Sequence, residues 1–111
     1  MKGIPVFHAQ TTLQNLGDGT TRRILSHNER LMAVEVGFKT GAQGALHSHP
    51  HTQCSYVLSG EFAYTIENES VILRPGDSIV VPSGLKHGTT CLKEGVLLDL
   101  FTPERKDFLS D

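Results

Sequence analysis

Apolar and polar residues alternate along this chain in bursts too short for helices. Segments of roughly four to eight β-prone residues follow one another. They predict strands near Arg22–Ser26, Leu31–Phe38, Ala45–His49, Gln53–Leu58, Glu61–Glu67, Ser70–Leu73, Asp77–Val81, His87–Leu92 and Gly95–Thr102. Turn residues separate them: Gly17-Asp18-Gly19, Lys39-Thr40-Gly41, Ser59-Gly60, Glu67-Asn68-Glu69, Pro75-Gly76-Asp77, Pro82-Ser83-Gly84 and Lys93-Glu94-Gly95. No stretch keeps a helical period over three turns; Pro103–Leu109, opened by a proline, predicts one short helix. Many short strands at intervals of roughly 8–12 residues imply an antiparallel sandwich or barrel. In either, residues two apart share a face.

That parity rule bears on the last strand. Val96, Leu98 and Leu100 fall on one face, Leu97, Asp99 and Phe101 on the other. Both faces are largely apolar, so the outward one needs a cover, either a second sheet or a partner subunit. A homodimer is the expectation. With 111 residues the chain has apolar surface for one core, and residues 1–111 form a single domain. A net charge of −2 gives no reason to expect nucleic acid or an anionic membrane as partner. No apolar run approaches the roughly 20 residues of a membrane span, and the first residues lack the apolar core of a secretory signal. Cys54 and Cys91 each sit in an apolar strand-like segment, where free buried thiols are expected, and this implies a reducing, cytoplasmic setting.

The candidate chemistry lies in the histidines. His47 and His49 share a strand face, about 7 Å apart along the chain, and Gln53 keeps their parity beyond the bend at Pro50. The segment reads Gly41-x5-His47-x-His49-x3-Gln53-x6-Gly60, and a later one reads Gly76-x5-Pro82-x-Gly84-x2-His87-x3-Cys91. Three imidazoles and an amide oxygen suit one divalent transition ion, and nickel, zinc, manganese and iron all accept such ligands. Gln53 could instead serve as a hydrogen-bond partner of a ligand. His8 and His27 read as ordinary satisfied polar residues, and His51, at the Pro50 bend, as a rim or substrate-facing group.

These two segments resemble the paired motifs of the cupin superfamily, with Gln53 where a glutamate is usual and Cys91 where an asparagine is. The resemblance implies an all-β double-stranded β-helix, or jelly-roll barrel, around a metal held by His47, His49, Gln53 and His87. Near the C-terminus Asp99 is a carboxylate on the lumen side of an apolar strand; it calls for either an ion-pair partner or an acid–base role. Phe101 faces the same lumen. Arg105, past Pro103, either is a solvated surface charge or folds over the opening to grip a carboxylate.

The run His47-Ser48-His49-Pro50-His51-Thr52-Gln53, with Leu98-Asp99-x-Phe101-Thr102-Pro103-x-Arg105-x-Asp107-Phe108-Leu109, resembles the KdgF family of pectin- and alginate-degradation cupins. Thr21-Arg22-Arg23-Ile24-Leu25 and the segment from Leu31 to Val36 fit the same family, in which Gln53 is the usual residue. This resemblance implies an isomerase-type enzyme that converts cyclic 4,5-unsaturated monouronates, small uronate sugars, into linear ketonised products. Asp99, Phe101 and Arg105 would carry its acid–base and substrate-binding roles. Two other readings stay open: a metal-dependent dioxygenase, and a cupin that binds a sugar without reacting.

Overall fold

A computed structural model describes residues 1–109. After a single 3-10 turn at His8–Gln10 come eight strands: β1 (Leu13–Gly17), β2 (Thr20–Asn28), β3 (Leu31–Phe38), β4 (Gln43–His47), β5 (Thr52–Ile66), β6 (Glu69–Leu73), β7 (Ser78–Val81) and β8 (His87–Thr102). A short helix, α1 (Lys106–Leu109), closes the described chain. All pairings are antiparallel. Among the described residues no helix is long and apolar enough to cross a membrane.

The two long strands organise the fold. β5 and β8 pair along their whole length, from Thr52 opposite Thr102 to Ile66 opposite His87. The second half of β8 also pairs with β3, and the first half of β5 with β7, which extends one layer through β1 and β2. The first half of β8 pairs with β4 and the second half of β5 with β6, making the other layer. The fold is therefore a jelly roll whose layers share two bent strands, as the cupin resemblance implies.

Each bend falls where the sequence predicts a break. Ser59-Gly60 and Lys93-Glu94-Gly95 lie within register shifts of the continuous ladder. The strands pass so closely that a Cβ on Gly95 would lie 2.0 Å from the Ser59 carbonyl oxygen, and one on Gly60 2.5 Å from that of Lys93. Glycine is required at both places by the backbone approach, and at Gly60 also by a φ of +83°. The segments predicted as Gln53–Leu58 and Glu61–Glu67 are thus halves of one strand, as are His87–Leu92 and Gly95–Thr102. β1 is absent from the sequence reading. The strand expected at Ala45–His49 ends at His47, ahead of Pro50, which has no N–H to donate to a ladder.

Between the layers, Phe38, Val57, Phe62, Tyr64, Leu73, Val81, Cys91 and Leu97 form one buried cluster, and Met32, Val34 and Phe101 form another. Cys91 is buried and Cys54 half-buried, both as free thiols.

Candidate metal centre

The strand register brings the site together from distant parts of the chain. His47 at the end of β4 lies opposite His87 at the start of β8. Gln53 and Ser55, two apart on β5, lie opposite Phe101 and Asp99 on β8. His49 belongs to the loop between β4 and β5. The candidate ligand atoms of His47, His49 and His87 all lie within 4.8 Å of one another.

Hydrogen bonding determines which imidazole nitrogen faces inward. The Nδ1 atoms of His47, His49 and His87 face the carbonyl oxygens of Ala45, His51 and Leu85 at 2.7, 3.1 and 3.0 Å. A carbonyl only accepts, so each Nδ1 carries the proton and each neutral ring presents a bare Nε2. Gln53 is oriented by the same logic. Its amide nitrogen donates to Ser55 Oγ at 3.1 Å and to Tyr64 Oη at 3.3 Å. Its Oε1 therefore turns toward the histidines, 2.9 Å from His49 Nε2 and 3.2 Å from His87 Nε2.

Those last two contacts join lone pair to lone pair unless something positive lies between. A proton on an imidazole would serve, but burial lowers the pKa of both His49 and His87 and so disfavours it. A cation satisfies all the acceptors at once. The donor set therefore fits a divalent metal ion, and the Gln53 oxygen, expected from sequence as a ligand or as a hydrogen-bond partner of one, faces the His49 and His87 nitrogens.

Behind Gln53 lies a network of hydroxyls. Ser55 donates to Asp99 Oδ1 at 2.6 Å, and Ser55 Oγ and Tyr64 Oη are 3.0 Å apart. Burial, the largest influence, pushes the Asp99 carboxyl up to about 6, against the opposing effects of Ser55, Gln53 and Arg105. Burial likewise keeps the Tyr64 phenol protonated far above neutrality.

Asp99, Phe101 and Arg105 line one cavity of about 140 Å³ together with His47, Gln53, Tyr64, His87 and Phe108. The Arg105 side chain is only 12% exposed. Its guanidinium carbon lies 5.2 Å from the Phe101 ring centroid and 4.3 Å from that of Phe108. Of the two sequence readings of Arg105, the solvated surface charge is thus excluded. His51 is not among the clustered ligands. Its Nε2 faces the Glu104 carbonyl at 3.1 Å, tying the Arg105 segment to the ligand loop, and its buried Nδ1 has no hydrogen-bond partner among the described residues. His8 and His27 pair with Glu35 and Glu104.

A cupin domain model matches residues 34–101, which span the first and last of the lumen-lining strands. The pectin degradation protein KdgF of Dickeya dadantii is 43% identical over 102 residues, covering 90% of this chain and 93% of that protein. The chain belongs to the KdgF family of cupins. The solved structure of KdgF from a Halomonas species superposes with a TM-score of 0.92 at 37% identity, covering 96% of this chain and 99% of that one. An RmlC-like cupin from Shewanella frigidimarina also gives 0.92, at 40% identity and 96% coverage of both chains. The closing segment thus contributes Asp99, Phe101, Arg105 and Phe108 to the lining of the cavity, whereas Ser55 and Tyr64 escaped the sequence reading. Ser55 was within reach of the parity rule, being two residues from Gln53; Tyr64 lies beyond the bend of β5, which brings its hydroxyl to 3.0 Å from Ser55 Oγ.

Proposed function

We propose that this KdgF-family cupin is a metal-dependent isomerase that linearises cyclic 4,5-unsaturated monouronates to 4-deoxy-5-keto uronates. The observation that carries the reading is Asp99: a buried carboxyl with its pKa raised, in the wall of the cavity that His47, His87 and Arg105 share. The curated relative that is named a pectin degradation protein supports the substrate class.

The substrate is a hemiacetal whose ring oxygen sits on a C4=C5 double bond. Ring opening breaks the C1–O5 bond, converts the C1 hydroxyl to an aldehyde and leaves an enolate at C5. Protonation at C4 then gives the ketone, so one proton leaves O1, one reaches C4, and no redox change occurs. Asp99 takes the first and returns the second; a carboxyl near 6 is balanced for both. Ser55 orients it through the 2.6 Å hydrogen bond. Arg105 holds the uronate carboxylate, and Phe101 forms the apolar wall against the sugar. His47, His49, Gln53 and His87 would hold a divalent ion, which would supply Lewis-acid stabilisation of the oxygen on which charge develops. Imidazole and amide ligands would leave its full charge available. Free Cys54 and Cys91 are in keeping with a cytoplasmic setting, and the outer apolar face with a homodimer.

The test is a proton NMR time course with freshly made unsaturated galacturonate or mannuronate. Ketonisation should run well beyond the spontaneous rate. Asp99→Ala should reduce it by about 10²–10⁴-fold with metal content unchanged, and His49→Ala should lose metal and activity together. Full activity in Asp99→Ala would remove that residue from the chemistry. Oxygen consumption without ketonisation would replace the isomerase by an oxygenase.

A further inference from the structure

Arg105 reaches the cavity with one edge of its guanidinium already engaged. Nε donates to Asp107 Oδ1 at 3.0 Å and Nη2 to Asp107 Oδ2 at 2.8 Å. This side-on pair uses one of the two Nη2 hydrogens. The other, with Nη1, forms a second parallel pair on the end-on edge, which a carboxylate can also grip with two bonds. The rings of Phe101 and Phe108 flank the group. Arg22 rests on the Phe108 ring as well, 4.0 Å from its centroid.

We propose that Asp107 is a positioning residue for the substrate carboxylate, holding the side-on edge of Arg105 so that the end-on edge addresses the cavity. This rests on the reading of the site as a uronate site. Two guanidiniums sharing one ring repel each other, and Asp107 is an anion that offsets this: burial is the main influence against the charged form of Arg22, Asp107 favours that form and Arg105 disfavours it. Without Asp107, Arg105 can turn about its side chain and is pushed from Arg22. Restoring its aim then costs entropy when a ligand binds.

The sign of the effect separates this role from simple electrostatics. Asp107 is negative and close to where an anion would bind, so repulsion or competition for Arg105 would make its removal tighten binding. Positioning makes its removal weaken binding. Its side chain is 59% exposed, so the ion pair contributes little to folding.

Calorimetric titration of the full-length protein with D-galacturonate and the uncharged D-galactose tests the proposal. Asp107→Ala should weaken galacturonate about tenfold and leave galactose and the melting temperature nearly unchanged; Asp107→Glu should recover most of the loss. With unsaturated uronate as substrate, KM should rise while kcat changes little. Galacturonate binding to Asp107→Ala as tight as, or tighter than, wild type overturns the proposal, as does a wild-type protein with no preference for galacturonate over galactose. The ketonisation assay fails separately: Asp107-dependent galacturonate binding without turnover would sink the isomerase and leave the Arg105–Asp107 pair standing.

Discussion

Gln53 shows how much one atom type sets at this site. Its oxygen faces two imidazole nitrogens and its nitrogen faces Ser55 and Tyr64, so it separates the histidine cluster from the hydroxyl network that reaches Asp99. Gln53→Glu keeps the shape and changes both sides. Toward the histidines it adds a negative charge, which should hold a divalent ion about tenfold more tightly or better. Toward the network it removes two N–H donors. Tyr64, its phenol protonated, can donate in return, but Ser55 has a single proton, which goes to Asp99. Either the new carboxylate faces the Ser55 lone pairs, or Ser55 turns and Asp99 loses its donor. Both raise the proton affinity of Asp99. The variant should therefore resist chelators better than wild type, turn over more slowly, and show the carboxylate limb of its pH–rate profile at higher pH. Chelator competition and a pH–rate series check this; unaltered metal retention would argue that Gln53 lies outside the coordination sphere.

The shared long strands put the demanding contacts at their bends, and two glycines separate backbone approach from backbone conformation. Gly95 has no unusual φ, yet an added Cβ would meet Ser59 backbone at 2.0 Å. Gly76 has a φ of +91° and open space around it. Gly95→Ala should thus cost about 3 kcal/mol or more, because β5 and β8 must part to admit it. Gly76→Ala should cost only about 1–2 kcal/mol for the left-handed conformation. Urea denaturation of both variants measures the difference, and equal losses would refute the account. The same bends explain why sequence reading divided each long strand. Ser59-Gly60 and Lys93-Glu94-Gly95 carry the local chemistry of a turn, and only pairing across the sheet tells a bend inside a ladder from a break. β1 was missed for a related reason: Leu13 and Leu16 are largely exposed on an edge strand, so its residues follow no burial period.

At the scale of the molecule, what could be read from sequence follows the parity rule. It placed His47, Gln53, Asp99 and Phe101 toward one lumen because strand alternation survives folding. Asp107 and Phe108 escaped because their roles depend on how the chain after β8 packs over the cavity, which no period encodes. Alternation also marks the opposite face. Leu98 pairs with Glu35 and Tyr56, Leu100 with Ala33 and Cys54, and Cys54 with Val80. Apart from Glu35, which faces His8 and Arg23 at the border, these side chains form a stripe across β3, β8, β5 and β7 on the outside of the layer that carries Asp99. Tyr56, Leu58 and Val80 are 39%, 44% and 58% exposed, while Val96, Leu98 and Leu100 remain half-buried. A neutral stripe on a sheet face suits a second copy of the same face, since an isologous contact opposes each residue to an equally apolar one. Charges there would be buried unpaired in a dimer and solvated in a monomer. Val80→Lys with Tyr56→Glu in one chain could pair across the interface, so the decisive variant carries a single sign, Tyr56→Lys with Val80→Lys. Sedimentation should find wild type as a dimer and this variant as a folded monomer that still holds metal, since both positions face away from the lumen. A wild-type monomer, or a double-lysine dimer, would leave the stripe without a partner of its own kind.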